Sequence, residues 1–364
     1  SEAGSGGAVT LVASLLQRRH DVDWLRILAL GLLIVYHIVL CFQPWAAAVE
    51  FPQNDPPLEG LWPFMALVNI WRIPLLFVIS GMGVRFAMER RDWKQLLTDR
   101  TIRIALPFVF CVYVLGTLLD AALPYLGWEA GYTLQFGHLW FLANIFCYVL
   151  WLIGVLVYFK NSPDNPVLRF LAGVIRRPAG LLLMALLPVL EASLVNPEHF
   201  AMYVDTVHGW LLGLICFFLG FVFICVRDVF WPAVARIRWV ALTVACSLYL
   251  ARLFVFHLEN APNGLIALES MSWMLAVLGF GSLVLDRPSR SLGYFSKAVY
   301  PVYIVHLPVQ FTIAYFLLPL SLPAISKLIL LLAGTFGVSL LLYEYVLRRL
   351  KWIRPLFGMK LARG

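Results

Sequence analysis

DVDWLRILALGLLIVYHIVLCF, Asp21 to Phe42, is an apolar run interrupted by two ionisable side chains inside its length, Arg26 and His37. The eleven-residue step between them is about three helical turns, roughly 16 Å, and returns to nearly the same face. A helix over this run therefore holds Arg26 near one membrane surface and His37 well inside, on one stripe. Both are costly in hydrocarbon, so the pair points to a protein or water-filled interior and to function. Two plainer readings stand beside it. Arg26 at a helix end can snorkel to the headgroups, and His37 can be a packed histidine bonded to a neighbouring helix.

The rest of the chain is built of similar runs. Hydrophobic residues make up 62% of the 364 positions and charged residues 13%, so one polytopic membrane domain replaces the two or three soluble domains that length alone implies. The pattern predicts ten helices, near 24–44, 62–86, 102–123, 138–159, 179–194, 207–226, 238–257, 264–285, 294–317 and 325–347. The fifth is short and contains Pro188. No cleavable signal is evident in the first residues, where Arg18, Arg19 and His20 flank the first span. The six cysteines form no CxxC pair, which argues against a disulfide framework or a metal site.

Basic residues test this ladder. Alternate loops and the tail hold 24 of the 28 Lys and Arg, while the intervening loops carry Glu50, Asp55, Glu59, Glu129, Glu198, Asp205 and Glu259. Positive charge marks the cytoplasm, so both termini are expected there, with an even number of spans. This distribution also accounts for the formal charge of +8 without nucleic acid. Arg26, Arg72 and Arg252 remain inside spans. Arg72, in NIWRIPLLFVISG, is the deepest, and Pro74 beside it is expected to loosen the helix and free backbone groups for a site. Arg252 reads as a helix-end partner of Glu259.

The link RFAMERRDWKQLLTDRTIRIALPF places Arg100 and Arg103 three apart at a helix start. Residues so spaced share a face, so two guanidinium groups can converge on phosphates, with the helix N-terminus adding its pull on anions. The competing account is the positive-inside rule alone. Of the histidines, His138, His199, His208 and His257 fall at the opposite helix ends. With Trp45, Trp62, Trp128, Trp140 and Trp210 they suit either a sugar-binding vestibule or an interfacial aromatic belt; Trp140, in HLWFL, is the exception to the belt. An acyl-CoA fits the whole set. Its phosphates would meet Arg26, Arg100 and Arg103, its thioester would extend toward His37 as general base, and Arg72 would face the oxyanion.

These residues carry a resemblance. DVDWLRILALGLLIVYH resembles the R-x10-H signature on the first helix of the acyltransferase-3 family of membrane acyltransferases. LLFVISG (75–81) is similar to its second-helix motif, RTIRIALP (100–107) to its R-x-x-R motif, and YPVYIVHLP (300–308) to its late histidine motif. WRIPLLFVISG and HLWFL resemble the branch that modifies osmoregulated periplasmic glucans. The resemblance implies an all-α, ten-span protein of a bacterial inner membrane. Its donor would be a cytoplasmic acyl-CoA carrying an acetyl or succinyl-like group, and its acceptor a carbohydrate or glycolipid hydroxyl at the outer face. It implies no tightly bound cofactor, no metal, and partners in glucan synthesis or export. It makes His37 the base, Arg26, Arg100 and Arg103 donor-binding residues, and Ser80 and His306 site-lining. The domain boundaries expected are a cytoplasmic segment 1–20, the acyltransferase domain 21–347 and a basic cytoplasmic tail 348–364. Many relatives carry a soluble esterase-like domain that this chain lacks, so a directly modified acceptor or a helper protein is expected. A secondary transporter or lipid flippase also needs buried arginines and histidines; the two halves of the chain show no repeat in its favour.

Overall fold

A computed structural model describes residues 19–122 and 137–360. Most of the N-terminal segment, together with Trp128, Glu129 and Arg363, lies outside the described residues. The opening run forms α1 (His20–Leu40), whose 21 residues rise about 31 Å, the thickness of a bilayer's hydrocarbon. There follow α2 (Glu59–Met88), α3 (Trp93–Ala121), α4 (Gly137–Asn161), a short α5 (Pro166–Arg176), α6 (Gly180–Val195), α7 (Val207–Cys225), α8 (Arg227–Phe254), α9 (Asn263–Val284), α10 (Arg290–Leu317) and α11 (Ala324–Leu347). The described residues form helices and no strand. Nine of the helices are long and apolar enough to cross a membrane.

The fifth span of the sequence is α6, at most about 24 Å long and too short to be a full crossing. Leu183, Leu186, Leu190 and Leu194 are exposed on it, whereas Glu191 is buried and accepts from His208 Nδ1 at 2.9 Å. Among the described residues the ladder is thus nine full-length helices and one short one. Boundaries shift elsewhere too: α8 begins at Arg227 rather than near 238, because Arg236 and Arg238 continue the helix past the apolar run.

Close approach of α2 and α7 fixes the centre. A Cβ on Gly81 would lie 1.9 Å from the Phe217 carbonyl oxygen, and one on Gly220 would lie 1.9 Å from that of Val78. The glycine of LLFVISG therefore serves helix contact, as small residues do in membranes.

Prolines supply the second organising device. Each lacks an N–H, so it orphans the carbonyl four residues earlier, which must find another donor in a dry interior. Pro74 orphans Ile70, and α2 breaks at Ile70–Trp71; the hydroxyls of Tyr203 and Ser270 donate to the Ile70 carbonyl at 3.0 and 2.8 Å. Just before Pro107, α3 takes a wider, π-helical path, and the Tyr300 hydroxyl donates to the Arg103 carbonyl there at 2.7 Å. The loosening expected from Pro74 is therefore real, and the freed carbonyl is taken up by Tyr203 of a link and Ser270 of α9 rather than left for a ligand.

Arg252 also helps seal the α2 break. It donates from Nη2 to the Ala66 carbonyl at 2.7 Å and pairs with Glu269, from Nε and Nη2, at 2.8 and 3.0 Å. The expected partner Glu259 is exposed instead. α8 stops at Phe254 and the chain turns through left-handed His257 and Leu258, so residue 259 never comes to the arginine's face.

Candidate active site

At the end of the bundle where the arginine-rich links meet, a cavity of about 590 Å³ opens between α1, α2, α3, α4 and α10. Arg26, Ser80, Arg100 and Arg103 all line it, together with Arg19, Arg90 and Arg91 from the helix links. Spacing paired Arg100 with Arg103, charge alternation put Arg26 on their side and the family resemblance added Ser80; the cavity gathers all four. α1 contributes its first turns, from Val22 to Leu30. Arg26 lies 3.6 Å from Asp23 and passes over Gly83, where a Cβ would sit 3.5 Å from its Nη2. The Ser80 hydroxyl donates to the Leu76 carbonyl at 2.7 Å, which leaves its lone pairs as acceptors on the cavity wall.

Arg100 and Arg103 enter differently. Arg100 Nε has no hydrogen-bond partner among the described residues. Arg103 is 4.0 Å from Asp99, and its Nε donates to the Gly358 carbonyl at 3.3 Å. Gly358 belongs to the turn after Arg354–Phe357, which tucks beneath α3 and α10. Its φ of +70° suits glycine, and a Cβ there would drive into the Tyr300 ring.

The cavity lining includes Tyr303 of α10, and this residue organises the histidines. Its hydroxyl donates to the His138 carbonyl at 2.6 Å, while His138 Nε2 donates back to the Tyr303 carbonyl at 3.0 Å. The same carbonyl lies 2.6 Å from His306 Nδ1. A carbonyl only accepts, so His306 carries its proton on Nδ1 and presents a lone pair at Nε2. That atom is 3.0 Å from His37 Nδ1, which must then be the donor. His37 Nε2 is left with the lone pair. His306 is completely buried, and the two ring planes lie 7° apart with centroids 5.4 Å apart, side by side in line with that hydrogen bond. Gln310, one turn beyond His306, fixes α1 by donating to the His37 carbonyl at 2.7 Å. His37 is thus bonded to a neighbouring helix, as the packed reading expects, and its Nε2 remains the unprotonated ring nitrogen.

Arg72 opens the second half of α2, 4% exposed. Its guanidinium lies 3.5 Å from the ring centroid of Tyr36, the neighbour of His37, a cation–π stack. Nε and Nη1 have no hydrogen-bond partner among the described residues. Phe51, from the link after α1, covers His37 at 5.6 Å between ring centroids.

Other candidates lie apart. Trp140 packs edge-on to Phe77 at 6.1 Å and is not in the cavity lining. Trp45 and Trp62 pack against each other, and Trp210 packs on Tyr148 and Trp151, so these tryptophans share no vestibule. His199 and His257 are exposed, and His208 is bound to Glu191; of the outer histidines only His138 joins the cluster. Sequence reasoning missed Tyr303, Tyr36 and Gln310. Tyr303 and Gln310 stand three before and four after His306, the spacing of one helix face. Among the described residues no cluster of His, Cys, Asp or Glu could hold a metal ion.

A family model described as an acyltransferase domain matches residues 19–344. The chain is similar to proteins named Glucans biosynthesis protein C. The one from Salmonella paratyphi B (strain ATCC BAA-1250 / SPB7) is 23% identical over 361 residues, covering 91% of this chain and 92% of the relative. That of Salmonella heidelberg (strain SL476) is 24% identical over 363 residues, with the same coverage. No solved structure matches the chain.

Proposed function

The chain belongs to the acyltransferase-3 family of multi-pass membrane acyltransferases, and from that premise we propose that it moves an acyl group from a cytoplasmic acyl-CoA to a hydroxyl of a carbohydrate or glycolipid at the outer face of a bacterial inner membrane. One observation carries this reading. The lining of the arginine-rich cavity includes Tyr303, the residue whose carbonyl accepts from His306, which in turn meets His37. A phosphate-bearing donor anchored at Arg26, Arg100 and Arg103 would therefore direct its thioester toward a poised base. Guanidinium pairs suit phosphates by charge and by forked geometry.

In the proposed reaction the acceptor O–H gives its proton to His37 Nε2 as its oxygen attacks the thioester carbonyl. The C=O electrons move onto oxygen, and the unpartnered Nε and Nη1 of Arg72 offer donors to that oxyanion. Collapse breaks the C–S bond, and the CoA thiolate takes the proton back from His37. His306 positions the base and touches no reacting atom. The names of the similar proteins support a glucan acceptor, and acyl-CoA is a substrate rather than a resident cofactor.

The test is release of CoA from acyl-CoA by purified protein, with transfer of label to an oligosaccharide. A transporter or flippase leaves the thioester intact. Orientation is tested separately by cysteines at exposed Gln53 and Asp164, which should label from opposite sides, with Gln53 outside. Labelling of both from one side overturns the ten-helix topology.

A further inference from the structure

A second pocket, of about 500 Å³, lies at the far end of α10, where the link after α1 meets the turn between α10 and α11. Gln53, Asp55, Ser321 and Lys327 give it a polar wall, over a floor that includes Ala314 and Leu318. Lys327 is 4% exposed, and its ammonium donates to the Leu318 carbonyl at 2.6 Å. That bond caps the end of α10, but an ammonium has three donors, so the cap leaves two. No salt bridge joins Lys327 to Asp55 among the described residues, although both line the same pocket.

The wall is built rather than loose. Asn54, between Gln53 and Asp55, is 1% exposed; its backbone N–H donates to the Cys41 carbonyl at 2.8 Å and its side chain to the Pro56 carbonyl at 2.8 Å. Leu58 N–H donates to the Phe42 carbonyl at 2.7 Å. These bonds hold the link against the end of α1 and leave Gln53 and Asp55 exposed. Gln53 donates its amide N–H to the Pro44 carbonyl at 3.1 Å, so its amide oxygen remains an acceptor.

The pocket is also in register with the histidines. His306, Gln310 and Ala314 follow at i, i+4 and i+8 on α10, so the pocket floor lies about 12 Å from His306 along one helix face. The link that walls the pocket also lays Phe51 over His37. A carboxylate, an amide oxygen, a hydroxyl and an ammonium around one opening match vicinal hydroxyls, which both donate and accept.

We propose that the pocket of Gln53, Asp55, Ser321 and Lys327 is a subsite for a sugar unit of an oligosaccharide acceptor, one that lies away from the hydroxyl being acylated. This rests on the carbohydrate-acceptor reading above. Its test is binding of a linear glucose tetramer to full-length protein in detergent, by calorimetric titration. Asp55→Ala and Gln53→Ala change exposed side chains and leave the fold intact; losing a charge-assisted bond should weaken binding about tenfold or more for Asp55→Ala, and less for Gln53→Ala. Lys327→Gln should also weaken binding, and a normal melting temperature would exclude loss of the α10 cap as the cause. Unchanged affinity in both Asp55→Ala and Gln53→Ala, or no binding by wild-type protein, overturns the subsite. CoA release by wild-type protein is read separately. Release without any effect of the Asp55 and Gln53 changes on binding sinks the subsite and spares the acyl-transfer reading. Weakened binding without any CoA release does the reverse.

Discussion

Arg252 and Arg100 are both set among helices, in surroundings of opposite kind. Around Arg252 the protein closes on itself: Glu269 takes two of its N–H groups, the Ala66 carbonyl takes another, and Tyr203 and Ser270 complete the same α2 break. Around Arg100 the protein stays open. Its Nε has no partner among the described residues, and the neighbouring arginines share a cavity of about 590 Å³. A buried charge already compensated by fixed groups holds helices together. A cluster of arginines around an opening, paired only in part by Asp23 and Asp99, keeps positive charge for something anionic.

The histidines connect this open region to the rest of the bundle, and the largest effect is expected there. His37→Gln keeps size and hydrogen bonding but cannot take the proton. It should lower turnover by about two to four decades while acyl-CoA still binds, measured by CoA release and by titration of donor. Wild-type turnover in the folded variant would leave the open cavity without chemistry.

On the closed side, Arg252→Ala strands Glu269 and should destabilise the protein by about 3–5 kcal/mol, read by thermal or denaturant unfolding in detergent. Arg252→Met combined with Glu269→Leu should recover most of that loss, because the pair is then replaced by apolar packing. No recovery would mean that the bond to Ala66, rather than the ion pair, holds the seam.

Arg100→Ala should do the converse, costing about 1.5–3 kcal/mol of donor affinity, one to two decades, with little change in melting. Arg100→Lys should rescue only part, since a point charge lacks the fork. If Arg100→Ala unfolds the protein as Arg252→Ala does, the two regions are of one kind and the comparison breaks. The smallest effect is expected for Tyr300→Phe, which deprives the Arg103 carbonyl of its donor beside Pro107 and should cost about 1 kcal/mol of stability.

The two regions were also unequally legible. Arg26, Arg100 and Arg103 were readable because helical spacing and charge alternation are local signals, and the cavity gathers all three with Ser80. Pro74 signalled a break for the same reason. The partner of Arg252 was hidden, because choosing Glu269 over Glu259 depends on where α8 stops and how α9 returns. His306 meeting His37 is a contact between residues 269 positions apart, which no periodicity encodes. The tail turn beneath Arg103 was equally silent, for a basic tail reads as topology until Gly358 is found against Tyr300.

The histidine chain ends on the Tyr303 carbonyl, and a carbonyl cannot relay a proton onward. A proton captured at His37 Nε2 therefore has no wired exit through His306 to either side of the bilayer. In the proposed reaction it passes to the CoA thiolate that leaves beside it. The one proton that changes sides in each cycle of that reaction is the acceptor hydroxyl's own, which leaves on the CoA thiol at the cytoplasmic face. Acylation at one face of a membrane from a donor at the other would, on this wiring, exchange one acyl group outward for one proton inward.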